Sequence, residues 1–177
     1  CTITKDTLLK SMDLIGAYNE PRAAEIVDLE DTVDLYEDHL GTFLVKLSAQ
    51  ALSLKAGHSV SVMLHTIGDF ERMSDHAVNI KDVAKELHEK KLSFSPDAQK
   101  EIGVLTAAIR EILDITEKAF IGNDLGFATR VEPLEQVVDD TIIQLEFAQV
   151  VDGEGYCILH RCQVEEGLGW RLRYVPD

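Results

Sequence analysis

Apolar residues recur at intervals of three and four along most of the first 147 residues, and this periodicity constrains the fold more than any other feature. Such spacing places apolar side chains on one face of an α-helix. The 177-residue chain also has four prolines and few aromatic residues, which favours long helices over strands. We therefore predict an all-α protein, an antiparallel bundle of helices joined by short connections.

Five helices follow from the periodicity and its interruptions. We expect them at about residues 6–15, 22–52, 58–90, 96–120 and 125–147. Ser95 followed by Pro96 is typical of an N-cap with proline at the first helical position.

The chain is internally doubled. Residues 29–34 (LEDTVD) are similar to residues 134–139 (LEQVVD), and each segment follows a shorter helix and a turn that contains asparagine. This doubling predicts two three-helix repeats, residues 1–92 and 93–147, with a sixth helix near residue 150. Residues 148–177 contain four glycines and lack a sustained helical period. We therefore expect an atypical tail in place of helix six, and an incomplete second repeat whose exposed apolar face favours a homodimer.

The charge and the cysteines limit the classes of partner and compartment. The sequence has 17 Lys and Arg against 32 Asp and Glu, a net charge of −15. This argues against nucleic acid, because phosphate backbones are bound by surplus basic residues. Three unevenly spaced cysteines indicate a reducing compartment. No apolar run approaches the length of a membrane helix, about 20 residues, so the chain is expected to be soluble, and a membrane domain upstream of Cys1 remains open.

Three Glu-x-x-x-Asp pairs lie on the predicted helices: Glu30/Asp34, Glu71/Asp75 and Glu135/Asp139. Residues four apart share one side of a helix, and each pair interrupts a stripe of apolar residues that should contact the core. Carboxylates in such positions repel each other and are costly to bury unpaired, so we expect a cation nearby. Oxygen ligands suit Mg²⁺, Ca²⁺, Mn²⁺ or iron. The alternative, solvated faces of a very acidic protein, remains open.

Signatures of enzyme chemistry are missing from the sequence. It contains no Glu-x-x-His of ferritin-like di-iron sites, no phosphate-binding Gly-rich loop, no nucleophile elbow and no His-Glu-x-x-His. Carboxylates alone could bind two metal ions, but no general acid, base or nucleophile accompanies them. We therefore predict a protein that is not an enzyme.

Residues 64–80 (LHTIGDFERMSDHAVNI) resemble the signature of the PhoU family, an acidic-Glu-Arg-x-x-Asp-His-x-x-Asn-Ile run that closes each three-helix repeat. Residues 34–48 (DLYEDHLGTFLVKLS) look most like the PhoU-like domain at the cytoplasmic end of bacterial sodium/phosphate cotransporters. The resemblance covers about residues 5–147. It implies a cytoplasmic regulator of phosphate transport and homeostasis, including as the cytosolic part of an inner-membrane protein. The implied partners are a transporter membrane domain, in the same chain or separate, and a sensor kinase.

The resemblance also implies multinuclear metal clusters, with iron first and zinc, manganese or magnesium as alternatives. The matching positions are, for the first repeat, Glu71 and Asp75 with Asp69 and Asn79, then Glu30 and Asp34 in helix two and Glu135 and Asp139 in helix five. The second Glu-Arg-x-x-Asp-His motif should lie beyond residue 150 and does not occur there. The tail is therefore either a divergent C-terminus or a shifted reading frame.

A second hypothesis stands beside the metal-binding regulator. The acidic residues can instead belong to a helical interaction module that binds no metal and docks a basic partner surface. The two hypotheses differ in whether metal ions or chelators change the melting temperature.

Overall fold

The computed structural model describes residues 1–145 and 150–151, with side chains described as far as residue 139. The helices are α1 (Thr2–Leu14), α2 (Glu20–Ser48), α3 (Leu54–Glu89), α4 (Pro96–Gly122), α5 (Leu125–Ala128) and α6 (Val131–Leu145). Two short strands, β1 (Ser93–Phe94) and β2 (Val150–Val151), complete the elements of this part of the chain. The predicted all-α class is confirmed.

The chain divides into two compact units, Cys1–Asp82 and Val83–Asp177. The boundary falls inside α3, ten residues before the limit at residue 92 that the doubling predicts. The helix α3 is 36 residues long, and its two ends belong to different units.

In the first unit, α1 packs against α2, and α2 contacts α3. The helices meet closely at Gly41, where an added Cβ would lie 3.7 Å from the Cδ1 atom of Ile67. The start of α2 is set by Asn19, whose side chain accepts a hydrogen bond from the backbone N–H of Arg22 at 3.1 Å, with Pro21 in the first turn. Six apolar side chains form most of the buried core: Leu14, Ile26, Val33, Leu44, Val60 and Ala77.

In the second unit, α4 packs against α5 and α6. The predicted N-cap is confirmed, since the Ser95 hydroxyl accepts from the Ala98 N–H at 3.3 Å. Asn123 ends α4 in the left-handed region at φ 48°, where asparagine is tolerated better than most residues. The antiparallel pairing of Phe94 with Val150 is a feature that the sequence pattern did not predict.

The predicted single helix over residues 125–147 is wrong, because the chain forms α5 and α6 there with a break between them. The cause lies at Pro133, in the first turn of α6. Its ring has no N–H and would clash with the carbonyl of Thr129, four residues earlier, so one continuous helix cannot pass through this stretch. Proline in a first turn meets neither problem.

The predicted tail, residues 148–177, lies outside the described residues except for β2, so its prediction stays untested. Across residues 1–145 and 150–151, none of the helices combines the length and the apolar content required to cross a lipid bilayer.

Candidate metal centre

Carboxylates from α2 and α3 meet in the first unit. Glu30 and Asp34 lie on successive turns of α2, and Asp75 lies on α3; one oxygen of each can be chosen so that all lie within 4.8 Å of one another. All three side chains are at least partly accessible to solvent. The structure therefore brings together both acids of the α2 pair and one acid of the α3 pair.

The acidic residues lie at the edge of the core rather than at its centre. The buried face of α2 consists of Ala23, Ile26, Val33 and Leu44. Glu30 is half-buried beside this face and Asp34 is exposed. On α3, Glu71 is half-buried beside the buried Ser74. Glu30 and Glu71 therefore lie beside buried residues of their helices, whereas Asp34 is exposed to solvent.

The pKa values of the α2 carboxyls report a crowded negative environment. The pKa of Glu30 is raised by burial first, and then by the charges of Asp34, Asp31 and Asp75. The pKa of Asp34 is raised by burial and, next, by the charge of Asp75. Repulsion from neighbouring carboxylates contributes to both pKa shifts. Nearby positive charge therefore does not balance the negative charge of Glu30, Asp34 and Asp75.

We call Glu30, Asp34 and Asp75 the carboxylate cluster. Glu71 interacts with this cluster through Asp75. Burial raises the pKa of Glu71, followed by the charge of Asp75 and by a hydrogen bond between the two side chains. Asp34 and Glu37 across the helix interface raise the pKa of Glu71 further.

Lys81 is the cation of this unit that acts on the cluster, since its charge lowers the pKa of Glu30. Its side chain is 14% exposed, and its Nζ atom lies 2.6 Å from Asp82. Arg72, which directly follows Glu71 on α3, pairs with Asp69, and both of those side chains are exposed. One ammonium group therefore faces several carboxylates.

Two first-repeat candidates occupy exposed positions on α3. Asp69 is exposed and paired with Arg72, and Asn79 is also exposed. Asp69 does not join Glu30, Asp34 and Asp75 in the group that could hold an ion. Their assignment as ligands stays a prediction.

The α6 pair differs from its expected position. Glu135 and Asp139 are exposed, whereas the half-buried face of α6 is formed by Val131, Leu134 and Val138. The expectation that this pair interrupts the apolar face is wrong, because that face is rotated toward Leu134 and Val138 and leaves the two acids beside it. Within the described residues, neither joins a group of three potential metal ligands. Their role as ligands is untested.

Glu37 is the functional candidate that the sequence analysis missed. It follows Asp34 by three residues, as Asp34 follows Glu30 by four, so the three acids share one side of α2. This three-and-four spacing of acids was the available signal. Glu37 does not fit the Glu-x-x-x-Asp pattern, because the residue four positions later is Gly41.

The donor set fits a hard cation. Three carboxylate oxygens from two helices, all within 4.8 Å of one another, could together contact one cation. Donor sets made only of oxygen suit Ca²⁺, Mg²⁺, Mn²⁺ or iron. No histidine or cysteine joins this group in the described part of the chain, which makes it less suited to zinc.

Comparison with known protein families gives a match over the first part of the chain. Residues 1–84 match the family model of the PhoU domain. The PhoU match contains α1, α2 and α3 as far as Ala84, and with them every carboxylate of the cluster. Comparison with curated proteins and with solved structures gives no match. The predicted resemblance to PhoU is confirmed for residues 1–84, and the narrower resemblance to cotransporter domains stays a prediction.

Proposed function

We propose that the chain is a PhoU-like regulatory domain of phosphate transport and homeostasis that binds metal through Glu30, Asp34 and Asp75. The observation that supports this proposal is the meeting of three carboxylates from two helices, within 4.8 Å, inside the region matched by the PhoU model. Their mutual repulsion, together with the raised pKa of Glu30 and of Asp34, favours occupation by a cation.

Bound metal would supply positive charge and a link between α2 and α3. Glu30 and Asp34 would hold it from one helix and Asp75 from the other. Glu71, hydrogen-bonded to Asp75, is placed to complete the site or to support a second ion. This arrangement is compatible with the multinuclear iron cluster that the resemblance implies, and with manganese or magnesium ahead of zinc.

The proposed role is regulatory rather than enzymatic and is carried out in the cytoplasm. The chain would act on a phosphate transporter membrane domain, either as the cytoplasmic part of a sodium/phosphate cotransporter or as a separate protein. A sensor kinase and a second copy of the chain are further proposed partners. A stiffer α2–α3 pair in the metal-bound form would change the surface that such partners contact.

Metal analysis tests the site. The chain is purified without chelator, and iron, zinc, manganese, magnesium and calcium are quantified per chain by mass spectrometry. We expect Asp34→Ala/Asp75→Ala to lose metal that the unmodified chain retains. Asp28→Ala/Glu111→Ala removes the same charge from exposed positions on α2 and α4 and should retain it. Equal metal content in all three proteins would refute the assignment.

A separate double variant, Glu135→Ala/Asp139→Ala, tests the α6 pair. If the second repeat lacks a cluster, as its missing motif suggests, this variant keeps the full metal content. Loss of part of the metal would instead show that α6 contributes a second site.

The alternative, an interaction module without metal, is favoured by the position of Lys81. This ammonium already acts on Glu30 from a site only 14% exposed. In that case the melting temperature would not respond to Mn²⁺, Fe³⁺ or EDTA. A metal-dependent rise would favour the first proposal.

A further inference from the structure

Three large apolar side chains form an exposed strip along α2. Tyr36, Leu40 and Phe43 are 57%, 44% and 59% exposed. Their spacing of four and three residues places them on adjacent turns of the same side of the helix. Side chains of this kind on neighbouring turns are more informative than single exposed apolar residues, because contiguous patches mark binding sites. We call these three residues the Tyr36 strip.

A cavity of about 380 Å³ opens beside the strip, within the first unit. Tyr36 and Leu40 line it from α2, Ile67 and Phe70 line it from α3, and the first turn of α1 lines it as well. Its size lies at the lower end of the range of ligand pockets, about 300–1,000 Å³. It can therefore take one or two apolar side chains of a partner.

The surroundings of the cavity are acidic. Residues 23–45 of α2 contain seven Asp and Glu and no Lys or Arg. One of these acids, Glu37, lines the otherwise largely apolar cavity. A surface of this sign repels nucleic acid and anionic membranes and attracts cationic groups. It also disfavours a second copy as occupant, because the copy carries the same net charge of −15.

We propose that the Tyr36 strip and its cavity bind a basic amphipathic segment of another protein. An apolar or aromatic side chain of the segment enters the cavity, and a neighbouring Lys or Arg is directed at Glu37. The mode is that of a helix bound in a groove, where a few anchors at helical spacing provide most of the affinity. This inference goes beyond the proposed metal site, since it requires no metal.

The test uses the full chain and a short fluorescent peptide that is helical, with leucines and one tryptophan on one face and lysines on the other. Two matched peptides carry glutamate in place of lysine, or serine in place of leucine and tryptophan. Binding is measured by fluorescence anisotropy in EDTA, at low and at physiological ionic strength. EDTA keeps the result independent of the metal site. We expect the basic amphipathic peptide to bind, with affinity that falls as salt rises, and the two matched peptides to bind far more weakly.

Variants locate the binding surface. Leu40→Asp and Phe43→Asp each place a charge in the strip and should weaken binding about tenfold or more. Leu35→Asp adds the same charge on another side of α2, at a residue 56% exposed, and should change the affinity less than about twofold. Glu37→Gln should weaken binding and reduce its dependence on salt. Because all four positions are solvent-accessible, the variants are expected to fold, which circular dichroism checks.

Four results would overturn the proposal. The first is that the basic peptide does not bind. The second is equal weakening by Leu35→Asp and Leu40→Asp, and the third is equal binding of the serine-substituted peptide, since both would indicate charge attraction alone. The last is concentration-dependent self-association, measured by analytical ultracentrifugation, that Leu40→Asp abolishes, because the strip would then bind a second copy.

Discussion

Replacing Asp34 by asparagine should stabilise the metal-free protein and remove its stabilisation by metal. Asp34 lies between Glu30 on its own helix and Asp75 on α3, with carboxylate oxygens within 4.8 Å of one another. Asparagine keeps the size and the polar character of the side chain and removes its negative charge. The substitution therefore isolates the repulsion that folding imposes on this cluster.

The magnitude follows from Coulomb's law. Two unit charges 4.8 Å apart repel by about 0.9 kcal/mol in bulk water and by about 3.5 kcal/mol at an effective dielectric constant of 20. Asp34 has two such neighbours but is exposed, so the low value and further screening by salt apply. We expect a net gain of about 0.5–1.5 kcal/mol, or about 1–6 °C in melting temperature for a chain of this length.

The assay is thermal unfolding in EDTA at low salt, followed by the same measurement with Mn²⁺ or Ca²⁺. Metal at 100 times its Kd should stabilise the unmodified chain by about 2.7 kcal/mol. The order of stability should therefore reverse, with Asp34→Asn the more stable protein without metal and the less stable with it. Asp28→Asn, at an exposed position of α2 outside the cluster, should shift stability by less than about 0.5 kcal/mol in either condition.

The pH dependence gives an independent check. The pKa of Asp34 in the folded chain lies above its ordinary value of 3.8. The folded state therefore favours the protonated form, and the stability gained by protonation is lost as pH rises through the folded-state pKa. Below that pKa a protonated Asp34 resembles asparagine, so the advantage of Asp34→Asn should be largest at neutral pH and fade as the pH falls through the folded-state pKa. An advantage that is absent at neutral pH, or independent of pH, would refute the repulsion argument.

The remaining predictions concern one ion pair, one buried hydroxyl and one helix cap. Lys81→Met should lower the free energy of unfolding by about 1–2 kcal/mol in EDTA and by less with metal bound. The control Lys85→Met, whose side chain is 44% exposed, should lower it by less than about 0.5 kcal/mol. Equal effects of the two substitutions would contradict a role for Lys81 in neutralising the cluster. Ser74→Ala should raise the free energy of unfolding in urea by about 1 kcal/mol, because the buried Ser74 hydroxyl has no hydrogen-bond partner in the described structure. A lower free energy of unfolding would indicate an unrecognised partner. Asn19→Ala should cost about 1 kcal/mol by the same assay and Asn19→Ser almost nothing, since only serine retains a capping oxygen.

Local signals predicted the first four helices and the cap at Ser95. Ser95 with Pro96 marks the start of α4 because the capping hydroxyl and the proline act within one turn. The break between α5 and α6 also depends on the position of a single proline, and the sequence analysis missed it. Apolar periodicity continues across residues 125–145, and only the position of Pro133 relative to the carbonyl of Thr129 forbids one helix.

The candidate site was predictable in part. Spacing of four places Glu30 beside Asp34 on one helix, and this is local information. That Asp75 meets them depends on the register between α2 and α3, which is set by the packing of many side chains rather than by either helix alone. The same dependence applies to the α6 pair, where Leu134 and Val138 form the half-buried face and Glu135 and Asp139 lie beside it, exposed.

The two proposed occupants of the first unit share one electrostatic field. Glu37 lines the cavity beside the Tyr36 strip, and its charge also reaches Glu71, which interacts with the carboxylate cluster. A cation bound among the carboxylates would reduce the negative potential at Glu37, and with it the attraction for a Lys or Arg of the docked segment. Linkage makes this coupling reciprocal, so the segment would weaken metal binding by the same factor. A regulator built in this way would release a basic partner when it takes up metal, without any change in the fold of its helices.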